Sequence, residues 1–264
     1  MGWKVVSVII PCYKVKLEDI VNQLDGLIEQ NEECELIFSD GERDYFNSFI
    51  PSISSMLYGS PITLKIVQNY ENHTVLSRGE SMNLAAKNAK GDILLFLHLD
   101  TILPKNAIKI INNVMNEEKV VAGGFLKRYD AGFFLCIIEK ILNIRTKIFR
   151  RMVGTNAIFV RKSIFEKRNY INSFLEDLDY SDYLLESYSK DSIRIVYEYV
   201  KVSSIKYKKH GVLKGVLKNS LIMFLYRLKL AGCDDLEKLY KKEYTLCEIS
   251  KIAYKFVFKS RENT

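Results

Sequence analysis

The chain has 264 residues, a net charge of +7, 48 % hydrophobic and 27 % charged residues. Four prolines and 13 glycines exclude a collagen-like or disordered chain, and the length suits one large α/β domain with or without a tail. The basic balance favours anionic partners (a nucleotide, a nucleic acid or an acidic membrane surface) without choosing among them. Five cysteines, Cys12, Cys34, Cys136, Cys233 and Cys247, are scattered without a CxxC pair. Neither a zinc site nor a disulfide framework has that spacing, so reduced, mostly buried thiols in a cytoplasmic protein are expected. The opening MGWKVVSVIIPCY is too short in its apolar run for a signal peptide, and no apolar run reaches the roughly 18 residues of a membrane span.

In chain order, Lys4–Ile10 (KVVSVII) is a continuous β-branched run stopped by Pro11, the pattern of a strand buried on both faces. Leu17–Gln30 carries Ile20, Val21, Leu24, Leu27 and Ile28 at helical spacing. Cys34–Phe38 is a second buried strand running into Ser39-Asp40-Gly41, and Ile62–Val67 a third. Arg78–Ala89 reads as a helix. Asp92–Leu97 is a fourth strand, running into His98-Leu99-Asp100, and residues 104–116 form a helix with Pro104 at its first position. Val120–Leu126 and Ala157–Val160 are short strands, Phe133–Phe149 is an apolar helix, Phe174–Ser187 an acidic one, and Ile193–Val202 a late strand. Residues 212–231 have the pattern of an amphipathic helix, and Asp234–Thr264 reads as a charged helical tail. The expected domain spans 1–232 and the tail 233–264.

Alternating strands and helices give a doubly wound α/β sheet, whose ligands bind beyond the carboxyl ends of the strands. Asp40 and Asp100 both lie at such ends. Asp100 has the placement of a ligand to a hard cation on a nucleotide diphosphate; it equally suits a helix cap. Asp40 suits a hydrogen bond to a base or ribose, or an ordinary Asp-Gly turn. Glu176-Asp177, in FLEDLDYSDYL, suits a general base or a helix N-terminal charge effect. Arg78 suits a phosphate or plain solvation. His73, His98 and His210 are too dispersed for a metal cluster, and His98, two residues from Asp100, is expected to be packed rather than ligating.

The segments VSVIIPCY, ELIFSDG, SRGESMNLAAKNAKGDILLFLHLDTILP, GTNAIFVRKSIFE and FLEDLDYSDYL, in this order, resemble a family 2 glycosyltransferase. Together with KKHGVLKGVLKNSLIMFLYRL, they are most similar to the subgroup labelled rSAM/selenodomain-associated transferase 2, over roughly residues 4–240. The resemblance implies a GT-A-like, mixed and mostly parallel Rossmann-like sheet with C-terminal helices. It further implies transfer of a single sugar, with inversion, from a nucleotide-diphosphate sugar (UDP favoured) to a hydroxyl acceptor. The donor side it implies is Pro11, Tyr13, Asp40, Arg78, Asn83, His98, Leu99 and Asp100. Asp100 matches the metal ligand for Mn²⁺ or Mg²⁺, and Asp177, with Glu176, the catalytic base. Gly154, Thr155 and Asn156 fall on the acceptor side, where they and Ser81 depart from the subgroup's pattern. A QxxRW motif, associated with processive synthases, is absent.

Two other functions compete. A sugar-phosphate nucleotidyltransferase would need a Gly-rich basic loop after the first strand, where Pro11-Cys12-Tyr13-Lys14 stands. A non-catalytic basic nucleotide- or membrane-binding module is suggested by Tyr199–Cys233, which has eight Lys or Arg and no acid. Its lysines alternate with Leu, Ile and Val rather than with stacking aromatics, so no nucleic acid is expected. That stretch is expected to lie on an anionic membrane near a lipid-linked acceptor, making the protein peripheral at the inner face, or to be a core helix with a solvated lysine edge.

Overall fold

The computed structural model describes residues 5–41, 45–68, 75–130, 133–171, 174–205, 211–242, 248 and 252. His73, Cys247, the whole 206–210 basic run with His210, and most of the tail beyond 242 lie outside the described residues. The chain divides into two compact units, Met1–Ser203 and Ser204–Thr264, a boundary upstream of the one expected at 232.

The first unit contains β1 (Val6–Cys12), α1 (Leu17–Ile28), β2 (Cys34–Asp40), α2 (Ile50–Met56), β3 (Ile62–Gln68), α3 (Arg78–Asn88) and β4 (Ile93–Phe96). There follow β5 (Thr101–Ile102), α4 (Ala107–Met115), β6 (Ala122–Tyr129), α5 (Phe133–Phe149), β7 (Ile158–Arg161), α6 (Lys162–Phe165), α7 (Glu176–Ser187) and β8 (Ile193–Val202). One sheet takes the order β3-β2-β1-β4-β7-β6-β8-β5. Strands β1 to β4 are mutually parallel. β7 runs antiparallel to both β4 and β6, β6 pairs parallel with β8, and β5 antiparallel with β8. The mixed, mostly parallel sheet with helices is the fold expected from the sequence.

The continuous apolar runs are explained by burial on both faces. Val6, Val8 and Ile10 join one core with Ile20 and Leu24 of α1 and Ile108 and Ile111 of α4. Ile9, Ile37, Leu94 and Phe96 join the other, with Met82 and Ala85 of α3 and Tyr180 and Leu184 of α7. A strand whose side chains alternate between two helix layers needs apolar residues at every position.

Several local expectations change. Pro11 does not stop β1, which continues to Cys12; Pro11 lies opposite Ser39 near the strand's end. Pro104 does not start a helix. α4 begins at Ala107, after Asn106 in the left-handed region (φ 59°), and the Pro104 carbonyl accepts hydrogen bonds from Ala107 N (3.2 Å) and Gln30 Nε2 (3.1 Å). The short helices Tyr45–Phe49 and Ile50–Met56 and the two-residue β5 are further elements of the structure. Cys12 and Cys34 are free and buried, whereas Cys136 is free and exposed on α5. Burial pushes the Cys34 thiol up to about 12, aided by Glu33, so it stays protonated and inert.

In the second unit, α8 (Val212–Arg227) and α9 (Cys233–Lys241) pack together. Lys218 Nζ reaches the C-terminal carbonyls of α9, donating to Tyr240 O at 2.5 Å and Lys242 O at 2.7 Å, a favourable position for a cation at a helix C-terminus. Leu221, Ile222 and Leu225 are buried, whereas Leu213, Leu217, Phe224 and Leu228 are exposed. No helix among the described residues is long and apolar enough to cross a membrane.

Candidate functional site

Register places one set of residues along a single end of the sheet. The carboxyl ends of β1 (Cys12), β2 (Asp40), β4 (leading to His98–Asp100) and β6 (Lys127–Tyr129) lie there. So does the start of β7, because that strand is antiparallel, preceded by the 3-10 turn Gly154–Asn156.

The acidic pair sits at the first turn of α7. Leu175, in the left-handed region (φ 59°), turns the chain into the helix. The helix rests on a ring cluster in which Phe96, Phe165, Tyr170 and Tyr180 lie 4.9–5.3 Å centroid to centroid, a packing worth about 0.5–1.5 kcal/mol per pair beyond area. Glu176 and Asp177 are therefore buried carboxylates on a rigid support. Asp177 accepts from the Gly154 N–H through Oδ2 and from the Leu178 N–H (2.7 Å) through Oδ1, so two backbone donors fix its orientation. Glu176 accepts from Arg78 Nε, and Arg78 Nη2 lies 3.8 Å from Asp177 Oδ2. Burial raises the proton affinity of Glu176; Arg78 opposes that and the neighbouring Asp177 charge adds to it.

Arg78 is held by the start of α3. Ser77 caps that helix: its Oγ accepts from Glu80 N (3.3 Å), and its own N–H donates to Glu80 Oε2 (2.8 Å). Arg78 thus joins α3 to the acidic pair rather than standing as a solvated residue. Asn83, matched by resemblance to the donor side, clamps Tyr170: its Nδ2 donates to Tyr170 O (2.7 Å) and its Oδ1 accepts from Tyr170 N (3.1 Å). Both amide atoms serve to hold the aromatic cluster under α7.

Asp40 is fully buried, and its Oδ2 accepts from Phe46 N (3.2 Å) and Gln68 Nε2 (3.3 Å). It therefore ties the Tyr45–Phe49 turn to β3, more than a simple Asp-Gly turn requires. Pro11 is half-buried beside it on β1, and Tyr13 is exposed, with Lys14 Nζ 5.2 Å from its ring centroid.

His98, Leu99 and Asp100 are all half-buried. The His98 ring packs against Gly154, so closely that a Cβ at 154 would run into it while lying 2.9 Å from Asp177 Oδ2. The expected packing of His98 is thereby located, and it lies beside the acidic pair. The Asp100 carboxylate lies 3.4 Å from Thr101 Oγ1, and its carbonyl accepts from Ser203 N at 3.0 Å. No group of three or more metal-ligating side chains occurs among the described residues. One half-buried carboxylate at a strand end still fits a hard cation whose other ligands are phosphate oxygens and water.

Asn156 is buried and shapes the turn, accepting from Val153 N (3.0 Å) and donating to Phe125 O (2.7 Å). Thr155 Oγ1 accepts from Lys127 Nζ at 3.0 Å. Lys127 was not a candidate in the sequence. It stands in LKRYD at a strand end, where basic residues are ordinarily solvated, and it is buried where α5 and the Gly154–Asn156 turn pack against β6.

A model of the family described as Glycosyl transferase family 2 matches residues 7–167. No curated protein matches. Among solved structures, TarS 1–349 of S. aureus in complex with UDP-GlcNAc is similar at 16 % identity and TM-score 0.57, with 96 % of this chain and 71 % of that chain covered. The mannosyltransferase PcManGT of Pyrobaculum calidifontis, in complex with GDP-Man and Mn²⁺, is similar at 15 % identity and TM-score 0.57, with 88 % and 69 % covered.

Proposed function

The chain belongs to glycosyltransferase family 2, and on that premise we propose that it transfers a single sugar from a nucleotide-diphosphate sugar to an acceptor hydroxyl, with inversion. The observation that carries this reading is the Asp177 carboxylate, oriented by Gly154 and Leu178 at the sheet end that also bears Asp40 and Asp100. Asp40 with Pro11 and Tyr13 would receive the nucleoside. Asp177 would take the acceptor's proton as its oxygen attacks the anomeric carbon in one displacement. Glu176 and Arg78 position it: the guanidinium bridges the pair and keeps both from being expelled by mutual repulsion.

Asp100 would hold a divalent cation, Mn²⁺ or Mg²⁺, which when bound neutralises charge on the departing diphosphate. Complexes of the structural neighbours with UDP, UDP-GlcNAc and GDP-Man with Mn²⁺ support the donor class and the cation. UDP is the favoured nucleotide. The narrower subgroup rests on the motif order alone.

The acceptor is proposed to be lipid-linked and presented at an anionic membrane by a peripheral protein. Besides the α8 stretch, α5 supports this: Ile137, Ile141, Ile144 and Ile148 are exposed at helical spacing, with Phe149 beside them and Lys140, Lys147 and Arg150 close in sequence. Co-sedimentation with anionic but not neutral vesicles is expected, and failure to bind either would remove the membrane element.

The test of the base is Asp177→Asn, assayed by nucleoside diphosphate release from nucleotide sugars with water or supplied hydroxyls as acceptor. Turnover should fall about 10²–10⁴-fold while donor binding is unchanged; full activity would refute the assignment.

A further inference from the structure

Lys127 is 3 % exposed, yet among the described residues its side chain makes a single hydrogen bond, to Thr155 Oγ1 at 3.0 Å, and pairs with no carboxylate. Taking a charge out of water is costly, and an apolar side chain of similar length would fill the space without that cost. Packing alone therefore gives no reason for an ammonium here. Its one partner does, because Thr155 belongs to the turn that holds Asp177.

The turn Gly154–Asn156 lies between two residues with fixed contacts. On one side the Gly154 N–H donates to Asp177 Oδ2. On the other, Asn156 Nδ2 donates to Phe125 O of β6 (2.7 Å), and Asn156 Oδ1 accepts from Val153 N (3.0 Å). The turn ends at Ala157 in the left-handed region (φ 46°), a conformation that a residue with a Cβ keeps only where its surroundings over-determine it. β6 thus grips the turn at two points, the Phe125 carbonyl and the Lys127 ammonium. The second grip is itself fixed, since Asn143 of α5 accepts from Lys127 N (3.0 Å) and donates to Lys127 O (2.8 Å). An ammonium has donors only, and a hydrogen bond from it is roughly twice as strong as a neutral one. A continuous line of contacts therefore runs from Asn143 through Lys127 and Thr155 to the Gly154 N–H and the Asp177 carboxylate.

We propose that Lys127 is a positioning residue for the base: its ammonium, anchored by α5, holds Thr155 and with it the Gly154 N–H that orients Asp177. The consequence for turnover rests on the transferase reading; the hold on the turn does not.

The test is a double-mutant cycle on the full chain with Lys127→Met and Thr155→Val, together with Thr155→Ser, which keeps the hydroxyl. Turnover is read as nucleoside diphosphate release from a panel of UDP- and GDP-sugars with water as acceptor. Exchange of the Gly154 amide proton, followed by NMR without substrate, reads the turn itself. Each single variant should lower kcat at least tenfold with the donor KM unchanged, and Thr155→Ser should restore most of the loss. The double variant should be no slower than either single one, as expected for two members of one contact. Gly154 exchange should quicken in both single variants. Lys127→Met should nevertheless melt no lower than the native chain, because a buried charge has gone, whereas a residue serving stability alone would lose turnover and melting temperature together. If Lys127→Met fails to fold, Thr155→Val and Thr155→Ser carry the test. Unchanged Gly154 exchange, unchanged kcat, or losses that add in the double variant would overturn the proposal. Faster Gly154 exchange in the variants of a chain that releases nucleoside diphosphate from no sugar of the panel would contradict the transferase reading and leave the hold on the turn standing.

Discussion

The Gly154 N–H donates to Asp177 Oδ2, while the His98 imidazole fills the space where a Cβ on residue 154 would stand. One backbone position thus sets both the proposed base and its neighbour just beyond β4. Gly154→Ala should displace His98, rotate Asp177 and lower turnover by roughly 10²-fold or more, since about 1 Å of misplacement costs that much. With the donor placed as proposed at β1 and β2, its affinity should change little. Full activity in a kinetic assay of this variant would show that the contact does not position the base.

Arg78 compensates Glu176 from a partly exposed position, so its removal should cost less than the about 3–5 kcal/mol of a fully buried pair. The pH dependence fixes the sign. Glu176 has a raised proton affinity in the folded chain, so the folded state holds the proton over a window above the ordinary carboxylate value where the unfolded chain has lost it. Its contribution to stability therefore falls as pH rises through that window. Arg78→Gln would raise Glu176 further, and its stability deficit in urea melts should grow between pH 5 and pH 8. A pH-independent deficit would mean that Arg78 acts through packing alone.

Lys127 behaves oppositely. With a folded value of about 7 and an unfolded value of about 10.4, its cost to stability is complete below pH 7. That cost is relieved as pH rises through the window between the two values. Lys127→Met should thus melt higher than the native chain at pH 6, with the gap narrowing by pH 9. A gap constant with pH would show that the ammonium is not desolvated.

The layered sheet was legible because burial on two faces leaves continuous apolar runs such as VSVII and ILLF, which only a sheet between helix layers accommodates. Asp40, Asp100 and Asp177 stood out as candidates because carboxylates beside buried elements have few packing roles. The site's supporting contacts did not. Nothing local in SMNLAA shows that Asn83 clamps Tyr170, 87 residues away, or in LKRYD that α5 buries Lys127. Those roles arise from tertiary packing across long separations, as does the turn at Asn106 that displaces the helix start from Pro104.

Asp40 carries two loads, since its carboxylate also holds Phe46 and Gln68. Asp40→Asn should keep an acceptor for the Phe46 N–H and fold, with destabilisation of about 1–2 kcal/mol. Nucleotide affinity should fall by more than tenfold. Unchanged affinity in a nucleotide titration would restrict Asp40 to its structural contacts.

The most direct test of nucleotide-sugar transfer at this site is a thermal-shift panel of UDP, GDP, dTDP and CDP, with and without Mn²⁺, on the native chain and on Asp100→Ala. Ligand at 100 times Kd adds about 2.7 kcal/mol, or several degrees at about 2–4 °C per kcal/mol for a chain of this size. One diphosphate, UDP foremost, should raise Tm only with Mn²⁺, and the shift should vanish in Asp100→Ala. No shift with any nucleotide, or the same shift in Asp100→Ala, would contradict the account.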